Sequence, residues 1–296
     1  MLDCEGAWRA LLEIGAARNA GIDEFRVPLQ VADVMVRRLD DGGWRLEPPA
    51  PPEIAALFAI YMPFCAVPAG RNVVVAHLGQ SLDGRIATLS GASRWVTGDA
   101  DIAHNHRMRA LADAVVIGSA TLRSDDPQLT VRSCAGRNPV RVILDTNRVL
   151  DDAYRVFRDE AAATLLVCAA DRTVPGERLG AAEIVGLPRD GAALAPAAIV
   201  AELTRRGLRR IFVEGGGVTV SMFLEAELLD RLHIAIAPLL IGDGRPAIRL
   251  APRMALSDCH RPRYRVFRMG ADVLFDCDLT SDSDQPAPDP AITRVI

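Results

Sequence analysis

The sequence predicts an α/β protein whose central sheet is mainly parallel. From Asn72 onward, short apolar runs that suit buried strands alternate with stretches of helical spacing. The last two runs, Tyr264–Phe267 and Val273–Cys277, lie close together around Gly270 without an intervening helix, which indicates an antiparallel edge. The composition, 50% hydrophobic and 24% charged, is typical of a globular protein with a sizeable core.

Residues 1–69 are predicted to form a small helical N-terminal appendage that packs on the main body. Helical spacing covers Ala7–Ala17, and Val31–Leu39 suits a second short helix. The proline-rich run Pro48–Pro52 is typical of a linker. The apolar stretch Ile54–Val67 is too short to span a bilayer, so we expect a buried segment there.

Residues 70–280 carry the α/β pattern and are predicted to form the main domain. We expect strands at Val73–Ala76, Ala114–Ile117, Val140–Leu144, Thr164–Cys168, Arg210–Val213 and Leu232–Ala237, in addition to the two hairpin runs. We expect helices over Asp99–Ala112, over Ala195–Arg205 and from the glycine-rich turn at 215–217 through Leu229. The acidic, proline-rich tail 281–296 is expected to be flexible.

Charge and composition exclude several classes of function. A net charge of −4 with scattered arginines gives no reason to expect nucleic acid or a membrane as partner. The six cysteines form no CxxC and no close pairs, so we expect reduced thiols, no metal site and a cytoplasmic protein. No signal peptide is recognisable at the start. Lysine is absent, which excludes a Walker-type phosphate loop and a Schiff-base enzyme.

One segment has the chemistry of an anion site. Glu214 is followed by Gly215, Gly216 and Gly217 between a strand and a helix, where glycines allow close backbone approach and the helix start offers free amides. A tight turn without a ligand explains a lone triple glycine equally well. The pattern is not GxGxxG, so a Rossmann fold is not supported.

Three further segments are weak signals when each is taken alone. Gly79–Gly84 follows the first strand of the main domain and contains an Asp-Gly turn, and Ser93–Thr97 places a tryptophan among hydroxyls. The third segment, Thr121–Arg132, follows the Ala114 strand as a predicted loop at the carboxyl end of the sheet, where ligands bind in open α/β folds. Turn chemistry and core packing are the simpler readings of each.

The order of these segments is specific. Ser-Leu-Asp-Gly, Ser-Arg-Trp-Val-Thr, His106-Arg107-Met108-Arg109, Asp125-Asp126-Pro127 and Glu214-Gly215-Gly216 together resemble the reductase domain of the riboflavin-pathway deaminase–reductase family. The resemblance covers roughly seven-tenths of the chain, a domain-sized stretch. It implies a dihydrofolate reductase-like fold with helices on both faces of the sheet, NADPH as hydride donor and a homodimer.

The resemblance also implies site residues. The substrate, a phosphoribosylaminopyrimidine that is reduced to its ribitylamino form, would contact His77, Ser93, Arg109, Leu129, Arg132 and Glu214. Two arginines suit a sugar phosphate, because guanidinium groups bind phosphate oxygens bidentately. NADPH would contact Gly79, Trp95, Thr121, Asp125, Thr146, Gly216, Gly217, Val218, Thr219, Val220, Ser221 and Met222. Asp125 and Glu214 are the candidate catalytic groups, and Arg148 could pair with a 2′-phosphate or serve only as a turn residue.

Two departures leave alternatives open. His77 stands where bacterial members often carry lysine, and residues 1–69 contain no H-x-E motif of a zinc deaminase. The substrate is therefore the deaminated pyrimidine, the diamino pyrimidine or a compound of a specialised pathway. A nucleotide-binding homologue with altered substrate or lost turnover is the competing class of function.

Overall fold

The computed structural model describes residues 3–17, 24–27, 34–38, 44–47, 49–68 and 70–280. Its α-helices are α1 Cys4–Ala17, α2 Pro52–Cys65, α3 Asp99–Leu111, α4 Ser119–Asp125, α5 Arg155–Arg158, α6 Pro196–Arg205 and α7 Gly217–Glu225. Its strands are β1 Glu24–Val27, β2 Val34–Arg38, β3 Trp44–Glu47, β4 Val73–Ser81, β5 Arg85–Thr88, β6 Ala114–Gly118, β7 Val140–Leu144, β8 Thr164–Ala169, β9 Arg178–Leu179, β10 Ala182–Leu187, β11 Arg189–Asp190, β12 Ala193–Leu194, β13 Arg210–Glu214, β14 Arg231–Ala237, β15 Gly244–Pro246, β16 Arg263–Met269 and β17 Asp272–Asp278.

A ten-stranded sheet organises the main body, in the order β16-β17-β14-β4-β13-β6-β7-β8-β10-β9. The strands from β14 to β10 pair in parallel, whereas β16, β17 and β9 pair antiparallel. Parallel strands need crossover connections, which the intervening helices supply. The carboxyl ends of β4, β13, β6 and β7 therefore lie side by side at one edge, as the sequence predicts.

Two apolar layers cover the two faces of this sheet. One layer joins residues of α1, α2 and α3 to Val75, Ile117 and Phe212, and the other joins α6 and α7 to Val74, Val116 and Ile211. Successive residues of a strand point to opposite faces, so the continuous apolar runs are explained by burial on both sides. The predicted α/β fold class is confirmed.

The N-terminal segment contributes to the first of these layers. The Trp8 indole donates to the Ala135 carbonyl at 2.8 Å, and the Arg210 guanidinium donates to the Gly15 carbonyl at 2.7 Å. Tyr61, 1% exposed, stacks edge-on against Trp8 with ring centres 5.6 Å apart. The helices α1 and α2 thus pack against the main sheet, as expected, and the division at residue 69 stays a prediction.

Local predictions in this N-terminal part are partly wrong. The helix predicted over Val31–Leu39 is a strand where described, Val34–Arg38, which pairs with two neighbouring strands; residues 31–33 and 39 lie outside the described residues. Val34 and Val36 alternate at the two-residue period of a strand, whereas the prediction assumed the helical period. Of the predicted linker, Pro52 begins α2, because proline's fixed φ suits the first helical position. The buried segment over Ile54–Val67 is confirmed as α2.

Two boundaries of the main body also differ from prediction. The helix expected to run through Leu229 ends at Glu225, where Leu228 and Glu227 donate backward to Phe223 and Leu224 and Glu227 has φ of 55°. This is a Schellman cap without its usual glycine, so no residue in the sequence marks the end of this helix. The loop predicted after β6 begins as a helix, α4, which contains Thr121 and Asp125. The other predicted strands and helices are confirmed, and the tail 281–296 lies outside the described residues.

Within the described ranges, the structure contains no helix with the length and apolar character needed to cross a bilayer.

Candidate active site

The glycine-rich turn joins the end of β13 to the start of α7. Gly215 and Gly216 have φ of 72° and 76°, and a side chain at Gly217 would collide with the Ala247 carbonyl. The turn therefore requires glycine for its own backbone geometry. No side-chain cap is present at the start of α7 among the described residues, and the amides of its first turn have no hydrogen-bond partner within the helix.

Two threonines line this turn. A Cβ at Gly216 would lie 2.6 Å from the Thr121 hydroxyl, and a Cβ at Gly118 would lie 2.6 Å from the Thr219 hydroxyl. Both glycines thus permit the close approach of a threonine hydroxyl to the backbone. Helix amides and hydroxyls grouped in this way suit phosphate groups.

Arg109 and Glu214 form a buried bidentate ion pair beside the turn. Arg109 Nε donates to Glu214 Oε2 at 2.6 Å, Nη2 donates to Oε1, and Nη1 donates to the Thr130 carbonyl at 3.0 Å. Burial acts to lower the pKa of Arg109, but Glu214 outweighs it and raises the pKa above its ordinary value. The two predicted substrate residues therefore bind each other, which fixes the Glu214 carboxylate at the sheet edge.

Arg132 lies near this pair. Its Nη1 donates to the Thr130 hydroxyl at 2.6 Å, and its backbone N–H donates to His106 Nδ1 at 3.0 Å. Burial and the positive charge of Arg109 lower the pKa of Arg132, with Glu214 acting in the opposite sense. Two neighbouring guanidiniums with one carboxylate leave a local excess of positive charge, which an anion would neutralise.

His106 and Thr130 were missed by the sequence reasoning as site residues. Burial, Arg109 and Arg132 lower the pKa of His106 to about 4, so it is neutral near pH 7 and accepts the Arg132 amide. His106 precedes Arg109 by three positions and so shares its helix face, which is the signal that could have found it.

Ser93 and Asp125 link the segment before α3 to α4. The Ser93 hydroxyl donates to Asp125 Oδ1 at 3.2 Å. Trp95 lies two residues further on with φ of 67° and 73% of its surface exposed. An exposed indole in an unfavourable backbone conformation offers a planar ring face to a ligand.

The Ser-Leu-Asp-Gly segment has a structural explanation. Ser81 is fully buried and donates to Asp83 at 2.5 Å, and Asp83 accepts the backbone amides of Ile241 and Gly242. These hydrogen bonds, from Ser81 first, lower the pKa of Asp83 to about 2. These hydrogen bonds connect the end of β4 to the loop after β14, so turn chemistry alone explains the motif.

Gly79 and His77 both lie in β4 but contact different residues. A Cβ at Gly79 would lie 2.8 Å from Thr97, so glycine permits the close approach of that side chain. His77 is 3% exposed, and its Nε2 lies 3.0 Å from Asp101 Oδ1. Burial against Asp101 weighs against the predicted substrate contact of the His77 side chain.

The remaining predicted residues occupy mixed environments. Leu129 is 1% exposed with φ of 55°, and Thr146 is partly buried and accepts the Ala169 amide through its carbonyl. In α7, Val218 is 73% exposed and Met222 is partly buried, whereas Thr219, Val220 and Ser221 are buried. Arg148 donates to Glu177 at 2.6 Å, so a 2′-phosphate there would have to displace this carboxylate.

A cavity that is separate from this edge lies elsewhere in the described structure. It measures about 570 Å³ and is bordered by the end of α7, by 256–262 and by the end of β17. None of the predicted site residues lines it. The predicted site is instead an open edge formed by strand ends, which is the usual ligand position in open α/β sheets.

The geometry defines a class of protein: an α/β fold that presents an anion-attracting edge beside a glycine-rich strand-to-helix turn. The sequence profile of the RibD C-terminal domain matches residues 72–261. The chain belongs to this family, and the resemblance predicted from the order of the segments is confirmed.

The relatives agree with this assignment. The chain is 33% identical over 186 residues to the 2,5-diamino-6-ribosylamino-4(3H)-pyrimidinone 5′-phosphate reductase of Methanothermobacter thermautotrophicus, covering 60% of this chain and 82% of that protein. It is 31% identical over 186 residues to the reductase of the same name from Archaeoglobus fulgidus, covering 58% and 83%. It is 33% identical over 175 residues to riboflavin biosynthesis protein RibD of Bacillus amyloliquefaciens, covering 58% of this chain but only 47% of that protein.

Solved structures show the same fold. The diaminohydroxyphosphoribosylaminopyrimidine deaminase/5-amino-6-(5-phosphoribosylamino)uracil reductase of Thermotoga maritima superposes with a TM-score of 0.59 at 27% identity, covering 76% of this chain and 61% of that chain. The riboflavin biosynthesis reductase Rib7 of Saccharomyces cerevisiae superposes with a TM-score of 0.57 at 18% identity, covering 70% and 90%. The second likeness supports the fold alone. The predicted dihydrofolate reductase-like fold is confirmed.

Proposed function

We propose that the chain is an NADPH-dependent reductase of 2,5-diamino-6-ribosylamino-4(3H)-pyrimidinone 5′-phosphate, the substrate in the name of two relatives. The observation that carries the proposal is the convergence of Arg132 and the Arg109–Glu214 pair beside the glycine-rich turn. The diamino substrate is preferred over the deaminated one because both of these relatives carry the diamino name.

The residues at the turn fit a nicotinamide dinucleotide. The Thr121 hydroxyl next to Gly216 and the uncapped amides of α7 suit its phosphates. Trp95, Asp125 and the segment Gly216–Met222 would hold it, together with Gly79 and Thr146 at the neighbouring strand ends. When bound, the nicotinamide supplies the hydride. NADPH is proposed over NADH from the family resemblance, since Arg148 is already paired with Glu177.

Arg132 is the proposed phosphate ligand. Each nitrogen of the Arg109 guanidinium donates to Glu214 or Thr130, and the Glu214 carboxylate occupies its Nε–Nη2 edge, so the role proposed for Arg109 is to orient Glu214. Glu214 would accept hydrogen bonds from the pyrimidine amino groups, with Ser93 and Leu129 beside the sugar. Arg132 retains guanidinium donors for phosphate oxygens, and its local surplus of positive charge favours a dianion.

The proposed reaction opens the ribose and then reduces it. The bond between the anomeric carbon and the ring oxygen breaks and the ring oxygen takes a proton from the acid group. The amino nitrogen, which keeps its own proton, forms a protonated imine with the anomeric carbon. The anomeric carbon then accepts a hydride and the nitrogen keeps a proton, which gives the ribitylamino product. Asp125, exposed and hydrogen-bonded to Ser93, is the proposed acid and base for the proton transfers. A homodimer in the cytoplasm is proposed from the family resemblance alone.

Steady-state oxidation of NADPH, followed by loss of its near-ultraviolet absorbance, tests the proposal. We expect turnover with the diamino substrate, with a kcat/KM at least about tenfold above that with the deaminated pyrimidine or with NADH. Tight NADPH binding without turnover of either pyrimidine would instead identify a nucleotide-binding homologue. Preferential turnover of the deaminated pyrimidine would retain the reductase but overturn the substrate assignment.

A further inference from the structure

Three of the five histidines of the chain meet in the interior, away from the turn. His77 lies in β4, His104 in α3 and His233 in β14, and they are 3%, 1% and 1% exposed. His77 and His233 are direct partners in the parallel pairing of their strands, and α3 packs His104 over them. One ring nitrogen of each lies within 4.8 Å of those of the other two.

Each ring has an oxygen on its outer side. His77 Nε2 lies 3.0 Å from Asp101 Oδ1, His104 Nδ1 lies 2.9 Å from the Tyr61 hydroxyl, and His233 Nε2 lies 3.3 Å from Asp276 Oδ1. Histidines that bind metals normally have their second nitrogen hydrogen-bonded to a carboxylate or another oxygen. His104 has such a hydrogen bond with Tyr61, whereas His77 Nε2 and His233 Nε2 lie near their carboxylates without one.

The inner nitrogens are spaced as ligands of one ion. His104 Nε2 and His233 Nδ1 are 3.1 Å apart, and the His77–His104 and His104–His233 ring centres are both 5.1 Å apart. Three imidazoles at about 2.0–2.1 Å from a tetrahedral metal place their nitrogens about 3.3 Å and their ring centres about 5 Å apart.

Hydrogen bonding within the protein satisfies only part of the cluster. Tyr61, His104 and His233 can form a chain of hydrogen bonds, whereas His233 Nε2 lies near Asp276 without a hydrogen-bond partner among the described residues. His77 Nδ1 is outside this chain and has no hydrogen-bond partner among the described residues, although it is fully buried. An unpartnered buried nitrogen is costly, and a metal would satisfy it.

The charge state also suits a cation. His104 and His233 are each 1% exposed, and burial disfavours the charged imidazolium. Neutral imidazole is the form that binds metal. Asp101 and Asp276 supply negative charge behind the rings.

We infer that His77 Nδ1, His104 Nε2 and His233 Nδ1 form a binding site for a divalent transition-metal ion such as Zn²⁺. His104 carries its proton on Nδ1 in the bound form, where the Tyr61 oxygen accepts it, so the ring stays neutral. The ion would join α3 to two central strands directly behind Asp101, whose Oδ2 accepts the Thr97 hydroxyl at 2.7 Å. The sequence predicted no metal site because its ligands are far apart in the chain and follow no spacing motif.

Metal content tests this inference independently of any enzymatic activity. The full chain is treated with a chelator, incubated with Zn²⁺, desalted and analysed by mass spectrometry of the elements. We expect about one zinc per chain in the wild type, a loss of at least about tenfold in His77→Gln, and no loss in His260→Gln, a matched exposed histidine. Zinc-free wild type, or equal zinc in all three proteins, would overturn the site.

X-ray absorption of the zinc-loaded wild type gives a second readout that depends on no variant. Three imidazole nitrogens at about 2.0 Å are expected. A first shell dominated by sulfur, or by oxygen with fewer than two imidazoles, would contradict the inference even if His77→Gln failed to fold.

Discussion

The sheet edge and the histidine cluster both depend on β4, but they offer opposite chemistry. At the edge, Arg109 and Arg132 have hydrogen-bond partners and leave a surplus of positive charge next to open space. In the cluster, three imidazoles and two carboxylates lie together in the interior, and His77 Nδ1 is unpartnered among the described residues. The edge therefore suits a mobile anionic ligand, whereas the cluster suits a small cation that stays in place.

This contrast separates two kinds of effect. Substitutions at the edge should change substrate kinetics, because its ligands bind and leave. Substitutions in the cluster should change the free energy of unfolding and leave the Michaelis constants unchanged. Arg109, which is charged and buried, is expected to show both kinds of effect.

Arg109→Ala is expected to have the largest effect, because it leaves Glu214 without its partner in a mostly buried position. Breaking a buried ion pair from one side costs about 3–5 kcal/mol of folding stability. Chemical denaturation should show this loss, and turnover should fall because Glu214 is no longer oriented. Arg205→Ala is the control, since Arg205 is 68% exposed and its partner Glu202 keeps a second ion pair with Arg206. A loss below about 1 kcal/mol for Arg109→Ala, the range of surface pairs, would mean that the pair is not structural.

Arg132→Ala is expected to act on substrate binding. Losing a charge-assisted hydrogen bond to phosphate costs about 1.5–3 kcal/mol, which raises the Michaelis constant for the pyrimidine about ten- to a hundredfold. The dissociation constant of NADPH, measured by fluorescence titration, should change less than about threefold. Equal weakening of both ligands would show that Arg132 does not bind the substrate phosphate.

Tyr61→Phe is expected to have the smallest effect, and it changes a contact of the histidine cluster without changing the sheet edge. The variant keeps the ring that packs on Trp8 but removes the oxygen beside His104 Nδ1. One lost buried hydrogen bond costs about 1–2 kcal/mol, measurable by denaturation. Both Michaelis constants should match the wild type. A changed constant for the pyrimidine would connect the two regions and remove the distinction between them.

The sequence predicted the edge better than the cluster for a physical reason. Residues at strand ends and in glycine-rich turns have short-range signatures, so Glu214, Gly216 and the Thr121–Arg132 segment could be placed from their order along the chain. His104 and His233 are 129 positions apart and meet only through the sheet register. No local pattern carries that information, and His77 was consequently assigned to the substrate.

Boundaries show a similar limit. The end of α7 depends on Glu227 adopting a left-handed conformation. A glycine at this position would have predicted such an end, whereas a glutamate does not. The pairing of Arg109 with Glu214 also joins residues 105 positions apart, so two predicted substrate ligands proved to be partners of each other. Residue types were predictable there, but their roles depend on the contacts.

A crystal structure with NADP⁺ and the ribitylamino product tests the central claim most directly. The account predicts the dinucleotide along the start of α7 over Gly216, with the product phosphate within hydrogen-bonding distance of Arg132. Ligand density in the separate cavity bordered by Leu256 and Pro262, with the turn empty, would contradict it.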